Sequence, residues 1–146
     1  MNSMRMFLAG VFLLLFSSLV AQETPLWTRN PAISPDGKTI AFCYKGDIFL
    51  VSSTGGQATQ LTTHSAYDSH PIWSPDGKTI AFCSTRDGGR DLFTIPVTGG
   101  TPTRLTTFTS GAIPECFTPD GKKILYRSSI MPDEVYGQFP SGGQVY

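Results

Sequence analysis

Charge is scarce in this sequence and never gathers into runs. Only 15% of the 146 residues are Asp, Glu, Lys or Arg, and the 11 basic and 11 acidic side chains cancel. A chain with no basic patch and no one-signed block lacks the electrostatic footprint of a nucleic-acid binder or of a polybasic membrane-surface segment. Histidine is scarcer still, with two residues, and the three cysteines show no C-x-x-C spacing. There is no G-x-S-x-G nucleophile elbow and no H-E-x-x-H pair. No catalytic residue and no cofactor-binding residue can be assigned within these 146 residues, and no cofactor is expected. No helical apolar period occurs beyond the N-terminal segment.

That segment is the one long apolar run. MNSMRMFLAGVFLLLFSSLVAQ opens with a single charge, Arg5, continues apolar from Phe7 to Phe16, and steps through Ser17 and Ser18 to Ala21. This is the pattern of a secretory signal peptide over residues 1–21, cut after Ala21. The run is short for a membrane span, which needs about 20 residues. An exported product, periplasmic or secreted, with no span after cleavage is the expectation. Residues 22–29 are then a short lead-in. The mature chain has about 125 residues, one domain's worth, with 10 basic against 11 acidic residues.

In an exported chain an odd cysteine count raises the prospect of a disulfide. Cys43 and Cys83 hold the same position in two repeated units, and equivalent positions in stacked units lie beyond the roughly 7 Å that a bridge tolerates between Cα atoms. Three buried free thiols, at Cys43, Cys83 and Cys116, are therefore expected, with a single bridge as the alternative.

The repeat carries most of the information. SPDGKTIAFC occurs at Ser34–Cys43 and again, letter for letter, at Ser74–Cys83, and TPDGKKILYR follows at Thr118–Arg127. The turn spacings are 40 and 44 residues. Gly55-Gly56, Leu61-Thr62-Thr63 and Asp47-Ile48-Phe49 recur 44 residues later as Gly99-Gly100, Leu105-Thr106-Thr107 and Asp91-Leu92-Phe93. The first spacing is shorter because Tyr44–Asp47 is replaced by the four-residues-longer Ser84–Asp91. A period of this length with several short strands per unit signals a β-propeller.

One unit reads as a four-stranded antiparallel meander. Pro71-Ile72-Trp73 is apolar and extended. Pro75-Asp76-Gly77 turns the chain, because proline presets φ and glycine accepts a positive φ. Such a turn suits a three-residue hairpin with a glycine bulge. Thr79–Cys83 returns, Asp91–Val97 forms a third strand with apolar residues on both faces, and Pro102–Thr106 is a polar fourth strand suited to an edge. Strands apolar on both faces require a neighbouring sheet on each side, which a propeller supplies. The expected class is all-β, with blades at about 30–63, 69–107 and an incomplete 113–146. Two and a half blades cannot close a ring. An open end exposes on the order of 400 Å² of apolar sheet, roughly 10 kcal/mol at about 25 cal/mol/Å², comparable to a domain's whole stability. The expectation is an N-terminal fragment of a longer chain.

The pattern Pro-x-Trp-Ser-Pro-Asp-Gly-Lys-x-Ile-Ala-Phe, followed by an Asp-aromatic strand, Gly-Gly and Leu-Thr, resembles the WD-like propeller repeat of TolB and of tricorn-type proteases, from Thr24 to Ser129. TolB-type proteins carry an α/β domain before the propeller, for which the lead-in leaves no room. The opening from Pro25-Leu26-Trp27 to Lys38 and the stretch Ala66–Pro71 resemble the start of an exported tricorn-like peptidase. That resemblance implies a non-catalytic propeller acting as an entrance for peptides, with further blades and a serine protease domain downstream as partners in the full-length chain, beside peptide or protein ligands. A TolB-like protein-binding propeller without activity is the alternative, and a prolyl-oligopeptidase-like propeller is a third reading.

Four groups of residues were weighed as sites. His64, Asp68 and His70 offer metal-ligand types within HSAYDSH, but the positions equivalent to His70 at the two repeat spacings are Asn30 and Pro114 (with Ile113 beside it), so the repeat does not require a ligand there. An inter-blade loop is the preferred reading, with no metal. Asp36, Asp76 and Asp120 are turn formers, together with Pro35, Gly37, Pro75, Gly77, Pro119 and Gly121. Arg86, Asp87, Arg90 and Asp91 in the longer loop are expected to be solvated, with weak ion pairs. The three cysteines complete the set, without a reactive role.

Overall fold

The computed structural model describes residues 27–107, 111–128 and 144–145. The signal-type segment lies outside them. The described residues contain strands and turns only. The first sheet holds β1 (Arg29–Ile33), β2 (Thr39–Tyr44), β3 (Asp47–Ser52) and β4 (Thr59–Gln60), paired in chain order. The second holds β5 (Asp68–Trp73), β6 (Thr79–Ser84), β7 (Asp91–Pro96) and β8 (Thr103–Arg104), again in chain order. The third holds β9 (Ala112–Phe117), β10 (Ile124–Ser128) and β11 (Gln144–Val145). Every pairing is antiparallel. These are propeller blades, about two and a half of them, and they do not close a ring.

The repeated decamer builds the same hairpin each time. Ser34 Oγ donates to Asp36 Oδ1 at 2.6 Å, Lys38 N–H donates to the same oxygen at 3.1 Å, and Thr39 N–H donates to Ser34 Oγ at 2.9 Å. Ser74–Thr79 and Thr118–Lys123 repeat this network. Gly37 sits at φ 73°, Gly77 at 69° and Gly121 at 71°, where a side chain is disfavoured. Because the Ser34, Ser74 and Thr118 hydroxyls and the following Lys N–H groups donate to the charged form, the Asp36, Asp76 and Asp120 carboxyls lie below the usual carboxylate range. At the other end of the first blade, Lys45 and Gly46 both take positive φ and close a two-residue hairpin between Tyr44 and Asp47.

Alternation along each strand divides the core between two interfaces. Ile80 and Phe82 face the first blade and pack with Ala41, Cys43, Ile48, Phe93 and Ile95. Ala81 faces the third, with Leu92 and Ala112, while Ile72, Phe117, Ile124 and Tyr126 close around them. The middle sheet is thus apolar on both faces, and Ile80–Ser84 is buried throughout. Phe82 and Phe93 stack at 5.9 Å, and so do Phe42 and Phe49 one blade earlier. Phe82 is fully buried, whereas Phe42 is half-buried, because no described residue covers the first blade's other face.

Neighbouring blades are tied by polar contacts as well. Trp73 Nε1–H donates to the Ala32 carbonyl at 2.9 Å, Asp68 N–H to Gly46 O at 2.7 Å, and Ala112 N–H to Arg90 O at 2.6 Å. The recurrent Asp and Leu-Thr markers find their meaning here. Thr62 Oγ1 accepts from Ile48 N–H and donates to Asp47, and Thr106 Oγ1 does the same with Leu92 N–H and Asp91. The threonine pins the end of each fourth segment to the start of the third strand.

Two expectations are corrected. Cys43 and Cys83 are buried free thiols, but Cys116 is exposed. An extra residue in β9 at Glu115, between the Cys116–Leu125 and Pro114–Tyr126 pairs, reverses the alternation. Phe117 then packs toward the second blade, while Cys116 lies where Ile72 lies one blade earlier; Ile72 packs against the third blade, but no described residue covers Cys116. The charged loop is not simply solvated either. Arg86 and Asp91 are drawn inside, because strand pairing sets a buried carboxylate beside each arginine.

Candidate functional site

The first strands β1, β5 and β9 lie side by side, and each carries a bulge. In β1 and β5 the extra residue brings Asn30 to φ 50° and His70 to φ 53°. Strain at two equivalent positions aims two polar side chains out of the sheets' regular pleat. They line one cleft of about 680 Å³, together with Arg29, Tyr67, Ser69, Cys83, Thr85, Arg90 and Ile113. Residues of all three blades meet there.

A hydrogen bond fixes one wall. Tyr67 N–H donates to Thr85 Oγ1 at 3.0 Å. Burial pushes the Cys43 thiol up to about 11 and the Cys83 thiol upward too, so neither is a nucleophile near neutral pH. His70 is the unsatisfied member, since its buried Nδ1 has no hydrogen-bond partner among the described residues. Burial, with the charges of Arg127 and Arg90, lowers its pKa, and Glu115 opposes them. The imidazole is therefore neutral at pH 7.

A second cleft of about 250 Å³ adjoins the first through Arg29 and Tyr67 and is lined by Trp27, Tyr44, Lys45 and Gly46. Trp27 is 72% exposed, with the Arg29 guanidinium 5.7 Å from its ring centre.

The three candidate metal ligands are not brought together. His64 is exposed and its Nδ1 accepts from Ala66 N–H at 3.0 Å. Asp68 is fully buried, and both its oxygens accept from Arg86 at 2.9 and 3.1 Å. His70 stands alone on its bulge. No group of three His, Cys, Asp or Glu among the described residues is placed to hold a metal. Asp36, Asp76 and Asp120 lie at the opposite end of the sheets, in their turns.

Arg86 is the residue that sequence reasoning misread. Its guanidinium also donates from Nε to Ser84 Oγ at 2.9 Å and lies over Phe82 and Phe93, at 5.4 and 4.8 Å. Asp91 accepts from Arg104 at 2.6 Å, and Arg104 reaches Asp87 at 3.4 Å. Arg90 joins none of these pairs and faces the cleft. The cleft itself has no signature in the sequence beyond the repeat phase, which aligns Asn30 with His70.

A family model described as the tricorn protease N-terminal β-propeller domain matches residues 25–138. No curated protein matches. Among solved structures, a protein from Agrobacterium tumefaciens assigned as TolB superposes with a TM-score of 0.67 at 27% identity, over 84% of this chain and 49% of that one. TolB from Acinetobacter baumannii gives 0.63 at 28% identity, over 71% of this chain and 27% of that one. The tricorn protease gives 0.61 at 22% identity, over 71% of this chain and 11% of that one, a likeness of fold alone. The chain spans half or less of the length of each of these solved chains.

Proposed function

The chain belongs to the tricorn protease N-terminal β-propeller family, and from that premise we propose that it is the non-catalytic propeller portion of an exported tricorn-like peptidase, admitting or positioning peptides. The observation that carries the reading is the family match across two full blades, ending in a cleft that three blades share. The cleft offers hydrogen-bonding and aromatic side chains but no activated nucleophile: its one cysteine is buried, with its thiol pKa raised. Such walls suit reversible contact with peptide groups rather than bond cleavage.

Export rests on the signal-type segment at residues 1–21. A product whose N-terminus is sequenced as Gln22 supports it; one that retains Met1 in the cytoplasm contradicts it. For the function itself, the full chain is incubated with a mixture of unstructured peptides. Retention of peptides without new cleavage products, read by mass spectrometry, is the expected outcome. Turnover that copurifies with the chain through several separations overturns the reading.

A second reading has its own support. The two TolB structures are more similar in sequence to this chain than the tricorn protease is, at 27% and 28% against 22%. A protein-binding propeller without enzymatic activity follows from that, and recovery of one defined protein partner with no effect on peptides favours it.

A further inference from the structure

The clefts at the two ends of the blades differ in the charges that line them. At the turn end, the cleft between the first two blades holds Asp36 and Asp76, and the next holds Asp76 and Asp120; no described cation lines either, but Lys38 and Lys78 in the same turns offset the charge of Asp36 and Asp76. At the opposite end the described lining is cationic. The two adjoining clefts hold Arg29, Lys45 and Arg90, and no carboxylate lines either.

The arginines at this end fall into two kinds. Arg86 is held by Asp68, Arg104 by Asp91 and Asp87, and Arg127 by Glu115 at 3.4 Å. Arg29, Lys45 and Arg90 have no carboxylate partner among the described residues. Arg29 rests over Trp27 and Lys45 over Tyr44, at 5.7 and 5.3 Å. Arg90 is anchored through its backbone, since its carbonyl accepts from Ala112 N–H and its Cβ packs near Gly111. The paired cations therefore brace the strands and loops of single blades, and Arg29, Lys45 and Arg90 line a strip with Tyr67 and Trp27 between them.

We infer that this strip is a docking surface for an acidic segment of polypeptide, whose Asp or Glu side chains meet Arg29, Lys45 and Arg90 while an apolar or aromatic side chain lies against Tyr67 and Trp27. The inference rests on the reading of the chain as a peptide- or protein-binding module and names the partner's chemistry. A small anion reaches only one of cations distributed over two clefts. A nucleic acid requires a denser array, because its affinity comes from many phosphate contacts, and this chain's net charge is zero. The exposed aromatic rings add contact area to the charge complementarity.

The test uses the full chain and fluorescent peptides of equal length, each with one central tryptophan: Asp/Glu-rich, Ser/Gly-rich and Lys-rich. A single-stranded oligonucleotide of similar length is the fourth probe. The acidic peptide binds about 10-fold or more tightly than the neutral one at low salt, and the gap narrows as salt screens it. Arg29→Gln, Lys45→Gln and Arg90→Gln each weaken the acidic peptide by about 2- to 5-fold, in line with single exposed ion pairs. Asp36→Asn and Asp76→Asn, at the other end, leave it unchanged. On binding, the His70 ring resonances shift in NMR spectra. Equal binding of acidic and neutral peptides overturns the inference and leaves the peptide-binding reading standing. Tighter binding of the oligonucleotide, or indifference to all three charge removals, also overturns it. Failure of every peptide to bind removes both the inference and the reading beneath it.

Discussion

Replacing Arg86 by methionine tests how this fold handles charge in its interior. Asp68 is fully buried, and among the described residues Arg86 supplies its side-chain hydrogen bonds. Methionine keeps an apolar stem of similar length and removes the guanidinium. At a charge separation of about 4 Å and an effective dielectric near 20, the lost attraction is about 4 kcal/mol. Removal of one partner of a buried pair costs about 3–5 kcal/mol for the same reason, since the other charge stays behind unpaired. Loss of the guanidinium from Phe82 and Phe93 adds about 0.5–2 kcal/mol. Arg86, 11% exposed, regains little hydration in exchange, and rearrangement around Asp68 returns part of the loss. A net destabilisation of about 3 kcal/mol is expected. Urea unfolding of the full chain near pH 7, followed by tryptophan fluorescence, measures it, with the denaturant slope unchanged. The double variant Asp68→Asn, Arg86→Met removes the stranded charge and is more stable than Arg86→Met alone. A loss below about 1 kcal/mol for Arg86→Met, or strict additivity of the two single changes, refutes the argument.

Three further outcomes follow from local geometry. Gly77→Ala meets only Pro35 Cδ, at 3.7 Å, but must hold φ near 69°; the left-handed backbone costs about 1–2 kcal/mol, and a loss under about 0.5 kcal/mol in the same urea assay contradicts the turn assignment. Ellman's reagent labels one thiol of the native chain, Cys116, and reaches Cys43 and Cys83 only on unfolding, whereas three fast thiols contradict the burial of the two core cysteines. His70 has its pKa lowered from 6.5 in the folded state, so its contribution to stability is complete above pH 6.5 and is lost as pH falls through the folded value; His70→Gln flattens the stability profile across that window, and an unchanged profile refutes the assignment.

The hairpin was legible because its instructions are local. Proline, aspartate and glycine each restrict one or two adjacent dihedrals, and three copies say the same thing. The recurrent Asp47 and Thr62 were visible as markers, but their bond joins residues 15 positions apart and depends on strand register. Arg86 was misread for the same reason. Its loop has the composition of a solvated turn, and its partner lies 18 residues earlier, at the start of another strand. Nearness in sequence misled in the other direction for His64, Asp68 and His70. Asp68 turns inward to Arg86, while the bulge carries His70 elsewhere. The residue type of Cys116 suggests burial, but it lies on the third blade's far face, which no described residue covers. The cleft depends on how three sheets stack, and no window of sequence contains that.

The two ends of the blades differ in how faithfully the chain copies itself. At the turn end, Ser-Pro-Asp-Gly-Lys is identical in the first two units and nearly so in the third. Each turn there must satisfy the same hydrogen bonds and lie against its neighbour: a Cβ added at Gly77 would stand 3.7 Å from Pro35 Cδ, and one at Gly121 the same distance from Pro75 Cδ. That contact leaves little freedom, which accounts for the identity without any functional demand. At the opposite end the copies diverge: Tyr44–Asp47 against Ser84–Asp91, Asn30 against His70, Trp27 against Tyr67. Packing does not force these differences, since the strands on either side keep their register through them. Where a repeat is free to vary, its residues answer to something other than the fold. The cations that line the clefts, Arg29, Lys45 and Arg90, and the exposed rings of Trp27 and Tyr67 lie at that end.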